Sequence, residues 1–368
     1  MEDIVRVLHV VVNMNRGGAE TLIMNLYRNI DRSKVQFDFL TCKEGVFDKE
    51  ILELGGKIHR IPYISDVGHF GYTRALNEFF NMHYEYKIVH SHLDKMSGLV
   101  LRAAKKAGIP VRIAHSHNTS SEGGRAARIY KNYASSFIKS SANSLLACSN
   151  AAATWLFDNR SNQAKILNNG IEFNKFSYKP SIRKEIREHL KVDDNTVVLG
   201  HVGRFFEQKN HEFIIEVFKE FNHKEPNSIL VLVGDGELKK KIEKKVHDYG
   251  LDNKVRFLGI RSDVEKVVQA FDLFIFPSFH EGLPVTLVEV QASGLPCLIS
   301  ENITKDVDLG LGLIDYLPIN DVSTWVNKIT NFSFNNNRKI SKRIFIEKGY
   351  DIEKTASFIQ EYYLKVSG

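Results

Sequence analysis

Residues 271–296 read Phe-Asp-Leu-Phe-Ile-Phe-Pro-Ser-Phe-His-Glu-Gly-Leu-Pro-Val-Thr-Leu-Val-Glu-Val-Gln-Ala-Ser-Gly-Leu-Pro. The run Phe271 to Phe276 is short, aromatic and branched, and Pro277 ends it, which is the pattern of a strand buried on both faces of a parallel sheet. Pro284 suits the first turn of a helix, Gly294 the residue just past its last turn, and Pro296 forbids continuation, so a helix is expected over about 284–293. This strand-loop-helix unit leaves Glu281 in the loop and Glu289 on the helix. Its loop also offers the amides of Gly282, Leu283 and Val285 at the positive end of a helix, a setting that favours an anion such as phosphate. Carboxylates are unsuited to phosphate but accept hydrogen bonds from hydroxyl groups, so the two acids call for a ligand with both kinds of group.

Outward from this unit the same alternation repeats. Toward the amino terminus, strands are expected at Val197–Val202, Ser228–Val233 and Lys254–Phe257, each followed by a helix, at about 211–221, 237–249 and from 262 or 263. A further strand is expected at Cys297–Ser300. An earlier series runs from the strand Val5–Val12 through strands at about 35–40, 57–61, 87–91, 111–115, 144–148 and 164–168, again with helices between. Strict alternation means parallel sheets covered on both faces, here two doubly wound α/β units in tandem. The segment 175–180 reads as the linker, and a basic amphipathic helix is expected over 341–366. At 368 residues the chain accommodates two domains of ordinary size.

No run of 18 apolar residues is present to cross a membrane, and Met1-Glu2-Asp3-Ile4 lacks the features of a secretory signal, so a cytoplasmic protein is expected. Three widely spaced cysteines, Cys42, Cys148 and Cys297, fit reduced thiols rather than a disulfide framework or a zinc knuckle. The net charge of +6 is uneven: residues 1–180 hold 24 Lys+Arg against 16 Asp+Glu. Between 95 and 140 lie nine basic residues and a single acid, Glu122, a patch that attracts anionic lipid, nucleic acid or a phosphorylated substrate. Within it, Arg125, Arg128, Tyr130, Lys131, Tyr133 and Phe137 interleave aromatic and basic side chains at helical spacing. Two readings stand for this segment, an interfacial helix on an anionic membrane and a core helix with a solvated face.

Strand carboxyl ends in such sheets face the ligand crevice. In the second unit these ends carry Arg204 and Lys209, the turn Gly234-Asp235-Gly236-Glu237, and the Glu281–Glu289 segment. The cations and free amides suit a diphosphate, whose developing charge they would stabilise without a metal. In the first unit, Gly17-Gly18 at a strand-to-helix turn fits either a phosphate approach or a plain tight turn. It lacks the dinucleotide fingerprint and the P-loop lysine. His90-Ser91-His92 and His115-Ser116-His117-Asn118 end two strands. No carboxylate or cysteine stands at ligand spacing from them, so no metal is expected.

Phosphates and sugar hydroxyls together describe a nucleotide sugar. The segment Glu281-Gly282-Leu283-Pro284-Val285-Thr286-Leu287-Val288-Glu289 resembles the Glu-seven-residues-Glu signature of the retaining glycosyltransferases of family four. Phe276-Pro277-Ser278, Ala292-Ser293-Gly294-Leu295-Pro296, Val202-Gly203-Arg204 with Lys209-Asn210, Val233-Gly234-Asp235-Gly236, Phe257-Leu258-Gly259 and Gly17-Gly18-Ala19-Glu20 are similar to that family in order and spacing. The His-Ser-His-Asn and Gly-Gly-Ala-Glu context resembles the capsule-type members most. The resemblance implies a GT-B fold, two Rossmann-like domains facing a cleft. One covers 1–178 and is completed by a returning helix at 352–368; the other covers 179–351. It implies that Glu289 binds ribose hydroxyls, Glu281 meets the donor sugar, and Arg204 and Lys209 hold the diphosphate with Gly17 or Gly18 nearby. It places the base near Gly259, Ile260 and Arg261, and a histidine, His117 or His115, on the donor sugar. His92 is a further sugar or acceptor candidate.

The activity so implied is metal-independent, retaining transfer from a UDP-sugar to a lipid-linked or oligosaccharide acceptor in capsule or exopolysaccharide synthesis. It needs no cofactor, binds no nucleic acid, and would take place at the inner face of the plasma membrane. The competing Asp306-Val307-Asp308, like the metal motif of the other major glycosyltransferase fold, leaves the tandem units unexplained. A nucleotide-sugar 2-epimerase, a phosphorylase and a non-enzymatic basic-patch binder are the alternatives.

Overall fold

A computed structural model of the chain describes residues 4–121, 123–334 and 338–368; Met1, Glu2, Asp3 and the patch's acid Glu122 lie outside the described residues. The chain divides into one unit of residues 1–171 with 349–368 and another of 172–348.

The first unit holds a seven-stranded parallel sheet in the order β3-β2-β1-β4-β5-β6-β7. Its strands are β1 (Val5–Val10), β2 (Val35–Thr41), β3 (Ile58–Arg60), β4 (Ile88–Ser91), β5 (Val111–Ser116), β6 (Ser144–Ala147) and β7 (Lys165–Ile166). The helix Ile352–Ser367 returns to this unit, and Ile352, Ala356, Ile359 and Tyr363 join Val7, Tyr27, Phe37 and Phe39 in one buried core. Tyr363 reaches beneath the sheet to donate to or accept from His90 Nδ1 at 2.6 Å. The single terminal helix expected over 341–366 is instead two, Lys342–Glu347 and Ile352–Ser367, because Gly349 takes a φ of 78° that ends the first.

The second unit holds a six-stranded parallel sheet, β10-β9-β8-β11-β12-β13, formed by β8 (Val197–Val202), β9 (Ser228–Val233), β10 (Val255–Phe257), β11 (Leu273–Phe276), β12 (Cys297–Ser300) and β13 (Ile314–Leu317). Apolar strands read as continuous runs here because helices cover both faces; β9 and β11 are buried at every residue.

The stretch 175–180, expected as a linker, runs directly into a helix, Pro180–Leu190, with proline in its first turn. That helix buries Arg183 and Arg187, one turn apart, against Asp272 at the start of β11. Arg183 Nη2 lies 2.6 Å from Asp272 Oδ1 and Arg187 Nη1 lies 3.2 Å from Oδ2, while the Val198 amide donates to the same carboxylate at 2.8 Å. The cluster fixes β11 beside β8 at the end of the sheet remote from the strand carboxyl ends.

Candidate functional site

In the second unit the loops after β8, β9, β10 and β11 are joined to one another by backbone hydrogen bonds. Gly203 N donates to Val233 O, Gly234 N to Gly259 O at 2.8 Å, and Phe205 N to Asp235 O at 3.0 Å. Gly234 is obligatory at this crossing: its φ is 138°, and a Cβ there would lie 2.1 Å from the carbonyl oxygen of Gly203. A short turn, Glu207–Lys209, is tied to the loop after β11 by Phe279 N to Gln208 O at 2.9 Å and Gln208 Nε2 to His280 O at 2.7 Å. Gln208 carries no chemistry of its own in the sequence pattern. Its role is legible only once two loops, 72 residues apart, are seen side by side.

This framework gathers the expected groups. Lys209 Nζ meets Glu281 Oε1 at 2.5 Å and lies 4.8 Å above the Phe276 ring. Both side chains of the pair are largely buried, so the cation expected to serve phosphate is already held by the acid expected to serve sugar. Arg204 is exposed, 5.1 Å from the Phe206 ring, and has no carboxylate partner among the described residues. The helix starts at Val285, one residue later than expected, and runs to Ala292. The amides of Gly282, Leu283 and Val285 donate no hydrogen bond among the described residues, as orphan donors at a helix start do. Gln291, buried, donates to Val307 O and accepts from Leu309 N, which clamps this helix to the segment after β12. Asp308, the second acid of Asp-Val-Asp, accepts from the Gly310 amide and so closes a turn.

Glu289 is partly buried and has no partner among the described residues. Burial, reinforced by the charge of Glu265, pushes its carboxyl up to about 7. At the end of β10, Ile260 is 69% exposed, Gly259 has a φ of 63°, and Arg261 is paired with Asp263 at 2.7 Å.

In the first unit, Gly17 precedes the helix Gly18–Asn29 with extended backbone, and a Cβ on Gly17 would run into the Glu20 carboxylate. An acid therefore stands at the turn considered for phosphate. At the ends of β4 and β5 the structure brings His92, His115 and His117 together. His92 Nδ1 lies 2.9 Å from His117 Nε2. Burial lowers the titration of all three, His117 to about 3, so each ring is neutral at pH 7. Asp94, which belongs to none of the sequence motifs, accepts from the His117 amide at 2.8 Å and from Asn118 Nδ2 at 2.7 Å and fixes this turn. His9 and His90 join the same layer, although they come from strands far apart in the chain.

The basic segment forms the helix Arg125–Ser136, in which Ala134 alone is buried. It seats against Gly98, where a Cβ would lie 1.9 Å from Ala134 O. Arg125 and Arg128 are exposed, Ile129 is 71% and Tyr133 46% exposed, and Phe70 nearby is 86% exposed. Tyr130 hydrogen-bonds His69 at 2.6 Å, Lys131 is half-buried, and Phe137 lies under Arg102 at 4.2 Å. This is not a core helix.

Two tandem parallel-sheet units with the last helix returning to the first, and cations, orphan amides and acids at the carboxyl ends of the second sheet, define a nucleotide-sugar transferase scaffold. The chain belongs to the glycosyltransferases. Residues 17–170 match the glycosyl transferase 4-like domain and residues 182–304 the glycosyl transferases group 1 domain. A protein of Bacillus subtilis named as the glycosyltransferase EpsF is 37% identical over 97% of this chain and 96% of its own length. The UDP-Gal:alpha-D-GlcNAc-diphosphoundecaprenol alpha-1,3-galactosyltransferase of Escherichia coli is 28% identical over 76% of each chain. The capsular polysaccharide biosynthesis glycosyltransferase CapH of Staphylococcus aureus is 25% identical over 98% of this chain and 99% of its own. Among solved structures, HepE of Anabaena in complex with UDP-glucose is similar, with a TM-score of 0.73 at 19% identity, covering 98% of this chain and 97% of that one. The fold is accordingly the GT-B fold.

Proposed function

We propose that this glycosyltransferase moves a sugar from UDP to a lipid-linked or glycan acceptor in surface-polysaccharide synthesis, with retention at the anomeric carbon and without a metal. The observation that carries the reading is the set of groups at the carboxyl ends of β8 and β11: exposed Arg204, the Lys209–Glu281 pair, three orphan amides and Glu289. Arg204 and the amides receive the diphosphate, and Lys209 is shared between Glu281 and the incoming phosphate. As the sugar–phosphate bond breaks, negative charge grows on the diphosphate, and this fixed positive field stabilises it. Glu289, with no other partner to satisfy it, accepts the two ribose hydroxyls; Glu281 faces the sugar. Exposed Ile260 offers an apolar surface to the base, and His117 or His115 a neutral donor or acceptor to sugar hydroxyls. The names of the E. coli and S. aureus relatives support the polyprenyl-linked acceptor and the capsule setting.

The relatives reported are transferases, which favours transfer over the epimerase, phosphorylase and non-enzymatic readings. Incubating the protein with UDP-sugars and a polyprenyl-diphosphate-linked GlcNAc, then assigning the product anomer by NMR with and without EDTA, tests donor, stereochemistry and metal requirement together. An inverted anomer, or activity lost to EDTA and restored by magnesium, would refute the corresponding part.

The acceptor's lipid also fits the basic helix. No helix among the described residues is long and apolar enough to cross a membrane. Exposed Ile129, Tyr133 and Phe70 beside Arg125 and Arg128 match a surface that lies on anionic lipid.

A further inference from the structure

One face of the first sheet carries five imidazoles. His9 stands on β1 opposite His90 on β4, and the His-x-His spacing of residues 90–92 and 115–117 keeps each pair on that same face. The rings of His90 and His92, and of His115 and His117, are each 4.1 Å apart, and His9, His90, His92 and His115 are almost wholly buried. Sequence reasoning set a metal aside because no carboxylate or cysteine stands at ligand spacing. Three adjacent strands assemble an all-nitrogen set instead.

The hydrogen bonds form two separate chains. Tyr363 Oη meets His90 Nδ1, and His90 Nε2 meets His115 Nδ1 at 3.1 Å. His9 Nδ1 meets His92 Nε2 at 2.9 Å, and His92 Nδ1 meets His117 Nε2. The buried nitrogens His115 Nε2, His117 Nδ1 and His9 Nε2 are left without a partner. Stranding a buried polar group costs about 1–3 kcal/mol, so hydrogen bonds alone are an expensive account of the layer.

We propose that His92, His115 and His117 form a three-histidine site for a zinc-class divalent metal ion, supported from behind by His9 and His90. Ligating nitrogens of the three rings lie within 4.8 Å of one another. Bonds of about 2.0–2.1 Å in tetrahedral array need nitrogens roughly 3.3 Å apart, so small ring movements complete the set. An all-imidazole donor set selects zinc, cobalt, nickel or copper over magnesium and calcium.

The metal gives a partner to His115 Nε2, one of the three stranded nitrogens, and the tautomers follow with the His9 Nε2 and His117 Nδ1 protons still unpartnered. With His92 bound through Nδ1, its proton sits on Nε2 and is donated to His9 Nδ1. With His115 bound through Nε2, its Nδ1 proton goes to His90 Nε2, and the His90 Nδ1 proton goes to Tyr363 Oη. With His117 bound through Nε2, its proton sits on Nδ1. Each ring stays neutral with one proton, and the metal takes the place of the proton shared between His92 and His117. Two of the three ligands thus donate their second nitrogen's proton to another imidazole, the arrangement that orients histidine ligands in metal sites. His117, the least buried of the three, leaves the fourth position on the open side. The donor-sugar role given above to His117 or His115 would then compete with the metal, a consequence that rests on that assignment, whereas the site itself does not.

The test is cobalt and zinc binding to tag-free protein. One equivalent of cobalt is expected to give the intense visible absorption of a tetrahedral nitrogen site, to be displaced by zinc, and to be unmoved by magnesium. Zinc should also raise the melting temperature of the unmodified protein. His92→Gln and His115→Gln should abolish the cobalt spectrum, and His9→Gln should weaken binding about 10–100-fold while leaving the spectrum's shape. Absence of saturable cobalt binding by the unmodified protein overturns the proposal whatever the variants do. So does a spectrum that survives in a folded His115→Gln protein. Sugar transfer that persists at saturating zinc leaves the metal site standing and removes the sugar role of His117 and His115.

Discussion

The carboxyl ends of the two sheets solve different problems with different residues. At the end of the second sheet the groups are charged: Arg204 is exposed, Lys209 is held by Glu281, and Glu289 is a carboxyl kept near neutral pH by burial. At the end of the first sheet the groups are neutral imidazoles bonded to one another. A fixed field of charge recognises phosphate strongly but changes little from one nucleotide sugar to another. Neutral rings that each donate and accept discriminate among hydroxyl patterns. Under the proposed function this is a division of labour: charge for the constant part of a substrate, uncharged polarity for the variable part.

The two units also rest on different internal supports, and this offers the largest test. Asp272→Ala leaves Arg183 and Arg187 buried without their acid. It should destabilise the second unit by about 3–5 kcal/mol. Hydrogen exchange should rise across residues 172–348 with little change in the first unit; uniform loss of protection over both would show that the units do not melt apart. Next, Lys209→Met should lower transfer by roughly 10²–10³-fold, the usual cost of losing one fixed positive group at a developing anion. His117→Gln, which removes no charge, should cost less and should alter the ranking of donor sugars. If the two variants lose the same factor for every donor, the division of labour is wrong.

Glu289 makes the comparison pH-dependent. Only its ionised form accepts both ribose hydroxyls, so UDP affinity should rise as pH increases from 6 to 8, by about tenfold, and level off above. Stability should move the opposite way. The folded carboxyl titrates near 7 against its ordinary value of 4.5, so the folded unit holds the proton more tightly and loses stability as pH rises from 4.5 to 7. Glu289→Gln should flatten both profiles; calorimetry of UDP binding at several pH values reads the first, and melting curves the second. The smallest effect belongs to the basic helix. Arg125→Ala with Arg128→Ala should weaken sedimentation with anionic vesicles by about 1 kcal/mol for each arginine, and leave neutral vesicles unaffected.

Much of this was readable from residues 271–296 and their repeats, because proline and glycine mark the ends of elements whatever surrounds them. The strand-loop-helix unit around Glu281 stands within a residue or two of its expected bounds. The helix Pro180–Leu190 was not readable, since its inward face carries Arg183 and Arg187 where an amphipathic pattern calls for apolar residues. Strand β13 and the helix Val322–Thr330 escaped notice as well. Every residue of β13 is only half-buried, so it lacks the apolar run that marks the other strands. The histidine layer was invisible for a different reason. His9 and His92 are separated by 83 residues, and only the order β1-β4-β5 makes them neighbours.

The return of the helix Ile352–Ser367 to the first sheet has a consequence for how the protein is made. A ribosome delivers residues 1–171 first, yet the core around Tyr27, Phe37 and His90 stays open until Ala356, Ile359 and Tyr363 emerge some 180 residues later. Residues 172–348 are contiguous and can close as soon as they clear the tunnel. The half of the molecule that is translated first is therefore finished last, and its core waits for the end of the message to receive its final side chains.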